Sequence, residues 1–153
     1  MNYRCFLIGH RDAEREIESV LRQSIERHIT DYGVNEFWVG RQGGFDYLAA
    51  GCLLEIKKLY PAVRLIQLFP YHPGERKIDL WPGFDDSIYP EGQESVPRKL
   101  GIARANRYAI GNCHYLIGYA WQPGSNSVRI MEAAAKRGNV VTNLANKKED
   151  AVD

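Results

Sequence analysis

The sequence predicts an α/β fold in three layers, with helices on both faces of a mostly parallel central sheet of about five strands. Three observations carry this reading. Short apolar runs alternate along the chain with longer segments whose apolar residues recur at helical spacing, so successive strands are joined by helical crossovers and must lie parallel. Three of the runs end in polar, glycine-bearing loops that lead directly into helices. The chain has 153 residues, 44% hydrophobic and 25% charged, which suits one folded domain with a real core and excludes disorder as the main state.

Cys5 to Ile8 form a continuous apolar run closed by Gly9, as expected of a central strand covered on both faces. Asp12 is placed to cap a first helix, whose inward stripe is Ile17, Val20, Leu21, Ser24, Ile25, His28 and Ile29, and which ends near Tyr32 and Gly33. Val34 to Val39 is the second strand. Gly40 to Gly44 turn into a second helix with Phe45, Leu48, Ala49, Cys52, Leu53, Ile56 and Leu59 on its buried face, stopped by Pro61. Val63 to Phe69 is the third strand.

Residues 70–95 contain four prolines, at 70, 73, 82 and 90, and read as a long ordered loop with at most a short helical turn. In it, Trp81, Phe84 and Tyr89 form either a lid over an aromatic ligand or a satellite cluster that holds the loop down. Pro97 opens a helix running to about Asn112, because its missing amide hydrogen has no intrahelical partner to lose. His114 to Ala120 is the fourth strand. One of Ser125, Asn126 or Ser127 caps a last helix carrying Val128, Met131, Ala134 and Ala135; Gly138 ends it, and Asn139 to Leu144 is the fifth strand. Residues 1–145 then make the domain, and 146–153 a charged, frayed tail.

Twenty Lys and Arg against nineteen Asp and Glu leave a net charge of +1, so no broad positive field favours nucleic acid or acidic lipid as a partner. No stretch approaches the roughly 18 apolar residues that cross a bilayer, and no membrane partner is expected. Three cysteines in apolar contexts suit a reducing, cytoplasmic setting. No pair stands at C-x-x-C, H-x-x-x-H or H-E-x-x-H spacing, so neither a metal nor another cofactor is expected, and no G-x-x-x-x-G-K-S/T marks a triphosphatase. Cys113 and His114 are strand neighbours that point to opposite faces, a poor nucleophile and base.

Chemistry is expected where Gly9-His10-Arg11, Gly40 to Gly44 and Gln122 to Ser127 meet at the carboxyl edge of the sheet. Free amides at a helix start, together with its dipole, seat an anion. Arg11 has the fork to hold two phosphate oxygens, or else pairs with Asp12 or Glu14. Asp46 accepts ligand hydroxyls or the first free amides of its own helix. Arg104, with Arg107 or Tyr108 on one helical face, clamps a phosphate, stacks a base, or is simply solvated. Small parallel-sheet domains often associate, which leaves a homo-oligomer open.

LIGHR at 7–11, VGRQGGFDYLAAG at 39–51, ARANRYAIGNCHYLIGY at 103–119 and LIGYAWQPGSNSVRIMEAAAKRGNVV at 116–141 together resemble the SLOG superfamily, and within it the small single-domain branch related to YpsA. This Rossmann-like group joins DNA-processing protein A, the "lonely guy" phosphoribohydrolases and many small bacterial proteins. The resemblance spans nearly the whole chain. It implies a Rossmann-like, nucleotide-binding domain that binds or senses a nucleotide-derived phosphorylated small molecule. Gly9 and Arg11 would face phosphate, Gly43, Gly44 and Asp46 would line the cleft, and Gly124 with Ser125 would cradle phosphate. With His10, Arg104, Arg107 and Asn126 these make the candidate ligand-binding set.

Phosphoribohydrolases of that group carry P-G-G-x-G-T-x-x-E where this chain reads P-G-S-N-S-V-R-I-M-E, placing Ile130 or Met131 at the glutamate's position. An N-glycosidic hydrolase acting on a nucleoside monophosphate, the first alternative function, would therefore rely on Asp46 or Glu132 as its catalytic carboxylate. The second alternative is single-stranded nucleic-acid binding through Arg98, Lys99, Arg104 and Arg107.

Overall fold

The computed structural model describes residues 2–72, 74 and 78–145; the tail expected at 146–153 lies outside them. The elements in order are β1 (Tyr3–Gly9), α1 (Glu18–Thr30), β2 (Val34–Val39), α2 (Gly44–Leu59), β3 (Arg64–Leu68), β4 (Asp86–Ile88), α3 (Gly101–Asn112), β5 (Tyr115–Tyr119), α4 (Asn126–Arg137) and β6 (Val140–Asn143). They build one sheet in the order β4-β3-β2-β1-β5-β6, with every neighbouring pair parallel. The fold is Rossmann-like, with six strands where about five were expected. The chain steps from β1 to one side through β2 and later returns to β5 on the other. That reversal opens a crevice at the carboxyl ends of the strands.

Alternation along the strands divides the core into two layers. Cys5 and Leu7 of β1, with Phe37 and Val39 of β2, pack under Leu21 and Ile25 of α1 and Phe45, Ala49 and Leu53 of α2. Phe6, Ile8 and Trp38 point the other way, under Ala105 and Ala109 of α3 and Ile130, Met131 and Ala134 of α4. Cys5, Cys52 and Cys113 are all buried free thiols within these layers. At the start of α4 the Ser125 hydroxyl accepts the Val128 N–H, and Gly138 ends the helix at φ 97°.

Two expectations are corrected. Asp12 does not cap α1: a short 3-10 turn at Arg15–Ile17 comes first, and α1 starts at Glu18 with no side-chain cap. The cause is non-local, because residues 10–13 are held in a turn against the start of α2. Gly44 and Phe45 donate to the carbonyls of Arg11 and His10, and Ala13 donates to His10.

The segment 70–95 is not irregular throughout. It contributes β4, paired with β3, and a 3-10 turn at Gln93–Ser95. Buried Gln67 on β3 donates to the Asp79 carbonyl and accepts the Trp81 N–H, and Trp81 and Phe84 enter the core beneath α2. These two aromatics hold the loop down; Tyr89 stands apart from them, edge-on to His72.

Asp85 fastens β4. It accepts from Lys57 Nζ at 2.8 Å and from the Leu65 N–H at 2.8 Å. Burial works to raise its pKa, but the Lys57 bond and charge, the Leu65 amide and the Arg64 charge outweigh it and hold the carboxyl below its ordinary value. Asp85→Ala is expected to cost about 1–2 kcal/mol at pH 7, since it strands the Leu65 amide and leaves the Lys57 ammonium only the Val63 carbonyl. A folded pKa below the unfolded one gives stability that is present above the ordinary value of 3.8 and lost as pH falls through the folded value. Urea melts at pH 7 and pH 3 check this: the gap between wild type and variant must shrink at pH 3.

Candidate functional site

A cavity of about 470 Å³ opens at the crevice beside β1, within the range of roughly 300–1,000 Å³ usual for small-molecule sites. One wall is the β1 end and its loop, Gly9 to Asp12, with Gly40, Gln42 and Asp46 after β2. The other wall is Ile102, Ala105 and Asn106 of α3, with Gln122 and Ser125 to Ser127 at the start of α4. Leu68 and Pro70 border it at the end of β3.

His10 ties the two sides of the crevice together. Its Nε2 accepts the Trp121 N–H at 3.0 Å and lies 3.4 Å from the Gln122 amide nitrogen, while its backbone N–H donates to the Tyr119 carbonyl. A ring nitrogen that accepts belongs to a neutral imidazole carrying its proton on Nδ1. Desolvation lowers the His10 pKa, against a smaller opposing pull from Asp12, which agrees with that tautomer. The ring also meets Trp121 edge-on, with centroids 4.4 Å apart.

Arg11 is exposed and lines the cavity, and among the described residues its guanidinium pairs with neither Asp12 nor Glu14. Asp46, in the first turn of α2, is 7% exposed and accepts the Gln42 N–H at 2.9 Å. Burial dominates its chemistry, raising the pKa to about 7 against the smaller lowering effect of the Gln42 bond. Near neutrality this carboxyl can therefore either donate or accept a proton. Across the cavity, the amides of Asn126 and Ser127 point out of the first turn of α4 without a hydrogen bond among the described residues.

Gly9, His10, Arg11, Asp46, Ser125 and Asn126 of the candidate set thus line one cavity, whereas Gly43, Gly44, Gly124, Arg104 and Arg107 do not. Gly43 and Gly44 act one step behind it. A Cβ on Gly43 would lie 2.8 Å from the Arg11 Cα, and one on Gly44 would run into the Arg11 carbonyl oxygen, so these glycines let the β1 loop seat against α2. Arg104 donates to Gln93 Oε1 and the Glu91 carbonyl, and Gln93 in turn donates to the Pro70 and Gly101 carbonyls. That network anchors the start of α3. Arg107 and Glu132 are exposed.

Sequence reasoning missed Asn106, 9% exposed and on the cavity wall, whereas Ser127, 8% exposed on the same wall, falls in the loop where chemistry was expected. The available signal was a polar residue on the apolar stripe Ile102, Ala105, Ala109 of α3. Among the described residues, no cluster of three or more His, Cys, Asp or Glu side chains could hold a metal, and no helix is long and apolar enough to cross a membrane.

No protein-family model matches the sequence, and no curated protein matches it either. Solved structures do resemble it. DNA processing protein A from Streptococcus pneumoniae matches with a TM-score of 0.66 at 18% identity, over 93% of this chain and 50% of that one. The chain therefore spans about half the length of that protein. The Moco carrier protein from Chlamydomonas reinhardtii matches with a TM-score of 0.60 at 18% identity, over 95% of this chain and 77% of that one. At this identity the two likenesses show the Rossmann-like fold and nothing finer, and neither singles out the YpsA branch.

Proposed function

We propose that this chain binds a nucleotide or a nucleotide-derived phosphorylated small molecule in the cleft at the carboxyl edge of its sheet. The observation that carries the reading is one cavity bordered by both the Arg11 guanidinium and the first amides of α4, neither of which has a partner among the described residues. Both features favour an anion: the amides with the positive end of the helix dipole, and Arg11 with a fork of donors. The likeness to a Moco carrier protein and to a DNA processing protein is compatible with a binding role but specifies no ligand.

Titration with AMP, NAD and ADP-ribose, followed by calorimetry or by the fluorescence of half-exposed Trp121, is expected to show saturable binding. Arg11→Ala should weaken it by about 10- to 100-fold, the scale of one charge-assisted contact. Because Arg11 is exposed and has no partner among the described residues, the variant's thermal midpoint should stay close to wild type. No saturation by any of these ligands at millimolar concentration rejects the reading.

Asp46 favours a second reading, an N-glycosidic hydrolase of a nucleoside monophosphate. A cavity-lining carboxyl with a pKa of about 7 is suited to proton transfer at neutral pH. Glu132, exposed on α4 and absent from the cavity wall, lacks that placement. Chromatography of nucleotide after incubation tests it: release of free base supports hydrolysis, and background levels leave binding alone.

A further inference from the structure

The cavity is chemically lopsided. Its charged lining residues, Arg11, Asp12 and Asp46, all belong to the β1 loop and α2, whereas the α3 and α4 side carries none. On that uncharged side sit Asn106 and Ser127, each more than nine-tenths buried, and among the described residues neither side chain makes a hydrogen bond. Their polar atoms are not sealed in the core but open into the cavity, where their hydrogen-bonding capacity is free for an occupant. Nothing in the packing of α3 requires the Asn106 amide, because Ala105, Ala109 and Ile110 already supply the helix's contact with the sheet. The amide is therefore available to something that enters the cavity.

We infer that Asn106 recognises the heterocyclic base of the bound nucleotide; this rests on the nucleotide reading above. An amide offers a donor and an acceptor side by side in one plane, the pattern that matches the edge of a base. Ile102 and Ala105 precede Asn106 on α3 and also line the cavity, offering apolar surface to a flat ring. With Arg11 and the first amides of α4 meeting the phosphate, the α3 surface around Asn106 is left for the base.

AMP and ribose 5-phosphate share sugar and phosphate and differ by the base, so their ratio of affinities isolates it. Calorimetry on the full chain is expected to show AMP binding at least about tenfold tighter in the wild type. Asn106→Ala should remove most of that gap, weakening AMP by about tenfold and ribose 5-phosphate by less than about twofold. An unchanged ratio in the variant, or equal loss for both ligands, overturns the inference and leaves the nucleotide reading standing. Failure of the wild type to bind AMP overturns the inference, and failure with NAD and ADP-ribose as well overturns the nucleotide reading with it. Asn106→Leu supplies a test without ligand: its thermal midpoint should equal or exceed that of wild type, and a fall of several degrees would make Asn106 a structural residue and overturn the inference.

Discussion

Asp46→Asn is expected to make the protein markedly more stable at pH 8 and to flatten its stability between pH 4 and pH 7. Asp46 has a folded pKa of about 7 against an ordinary value of 3.8. Below the lower value both folded and unfolded chains hold the proton. Between the two values the folded chain keeps a proton that the unfolded chain has released, so stability declines as pH rises through this window. Above the folded value the loss is complete and amounts to up to about 4 kcal/mol, since each tenfold change in proton affinity is worth about 1.4 kcal/mol.

The substituted amide does not titrate, and its carbonyl can still accept the Gln42 N–H. Denaturant melts of both proteins from pH 4 to pH 8 check this. The two should converge at pH 4 and separate steadily above it. A variant less stable than wild type at pH 8, or a gap that does not vary with pH, refutes the assignment. In the wild type, affinity for a phosphorylated ligand should also fall above neutrality, as a carboxylate appears in a cavity that seats an anion.

The second large effect is steric. Gly44→Ala places a methyl group against the Arg11 carbonyl oxygen and 3.1 Å from the Ala13 carbonyl oxygen. The same backbone contact carries the Gly44 N–H to Arg11 O bond, at 2.7 Å. Neither partner is a flexible side-chain end, so the β1 loop must move away from α2. A cost of about 3 kcal/mol is expected from overpacking with loss of that bond, or a fall of roughly 6–12 °C in the thermal midpoint for a chain of this length. Arg11 rides on the displaced loop, so ligand affinity should fall with it. A variant that melts like wild type would show that the two segments are not in contact.

Where the local sequence dictated the outcome, the elements could be read directly. Val34–Val39 is bracketed by Gly33 and Gly40, α2 stops before Pro61, and α4 has Ser125 at one end and Gly138 at the other. Each boundary is a property of the residues at it. β4 has no such signature: Asp-Ser-Ile shows no alternation worth burying, and its position follows from Asp85 reaching Lys57 and the Leu65 amide. The start of α1 was illegible for the same reason, since the residues before it are engaged by the amides of α2.

The meeting of three loops at one edge followed from the topology that alternating strands and helices impose. Which atoms face the cavity did not. The glycines of the second loop look like a phosphate cradle in one dimension, but Gly43 and Gly44 admit the Arg11 backbone in three. Arg104, conspicuous for its charge, is absorbed by Gln93 and Glu91. Asn106, inconspicuous among the arginines of ARANRY, lines the cavity with no hydrogen bond among the described residues.

The outermost strands carry a consequence for self-association. β4 is three residues long, with Asp86 and Ser87 exposed, and β6 at the opposite margin has four residues. Strands this short, one of them carrying an exposed acid, offer a neighbouring molecule too little ribbon to extend. Copies of this protein that pair in solution should therefore do so through helix surfaces, leaving each sheet to end within its own chain.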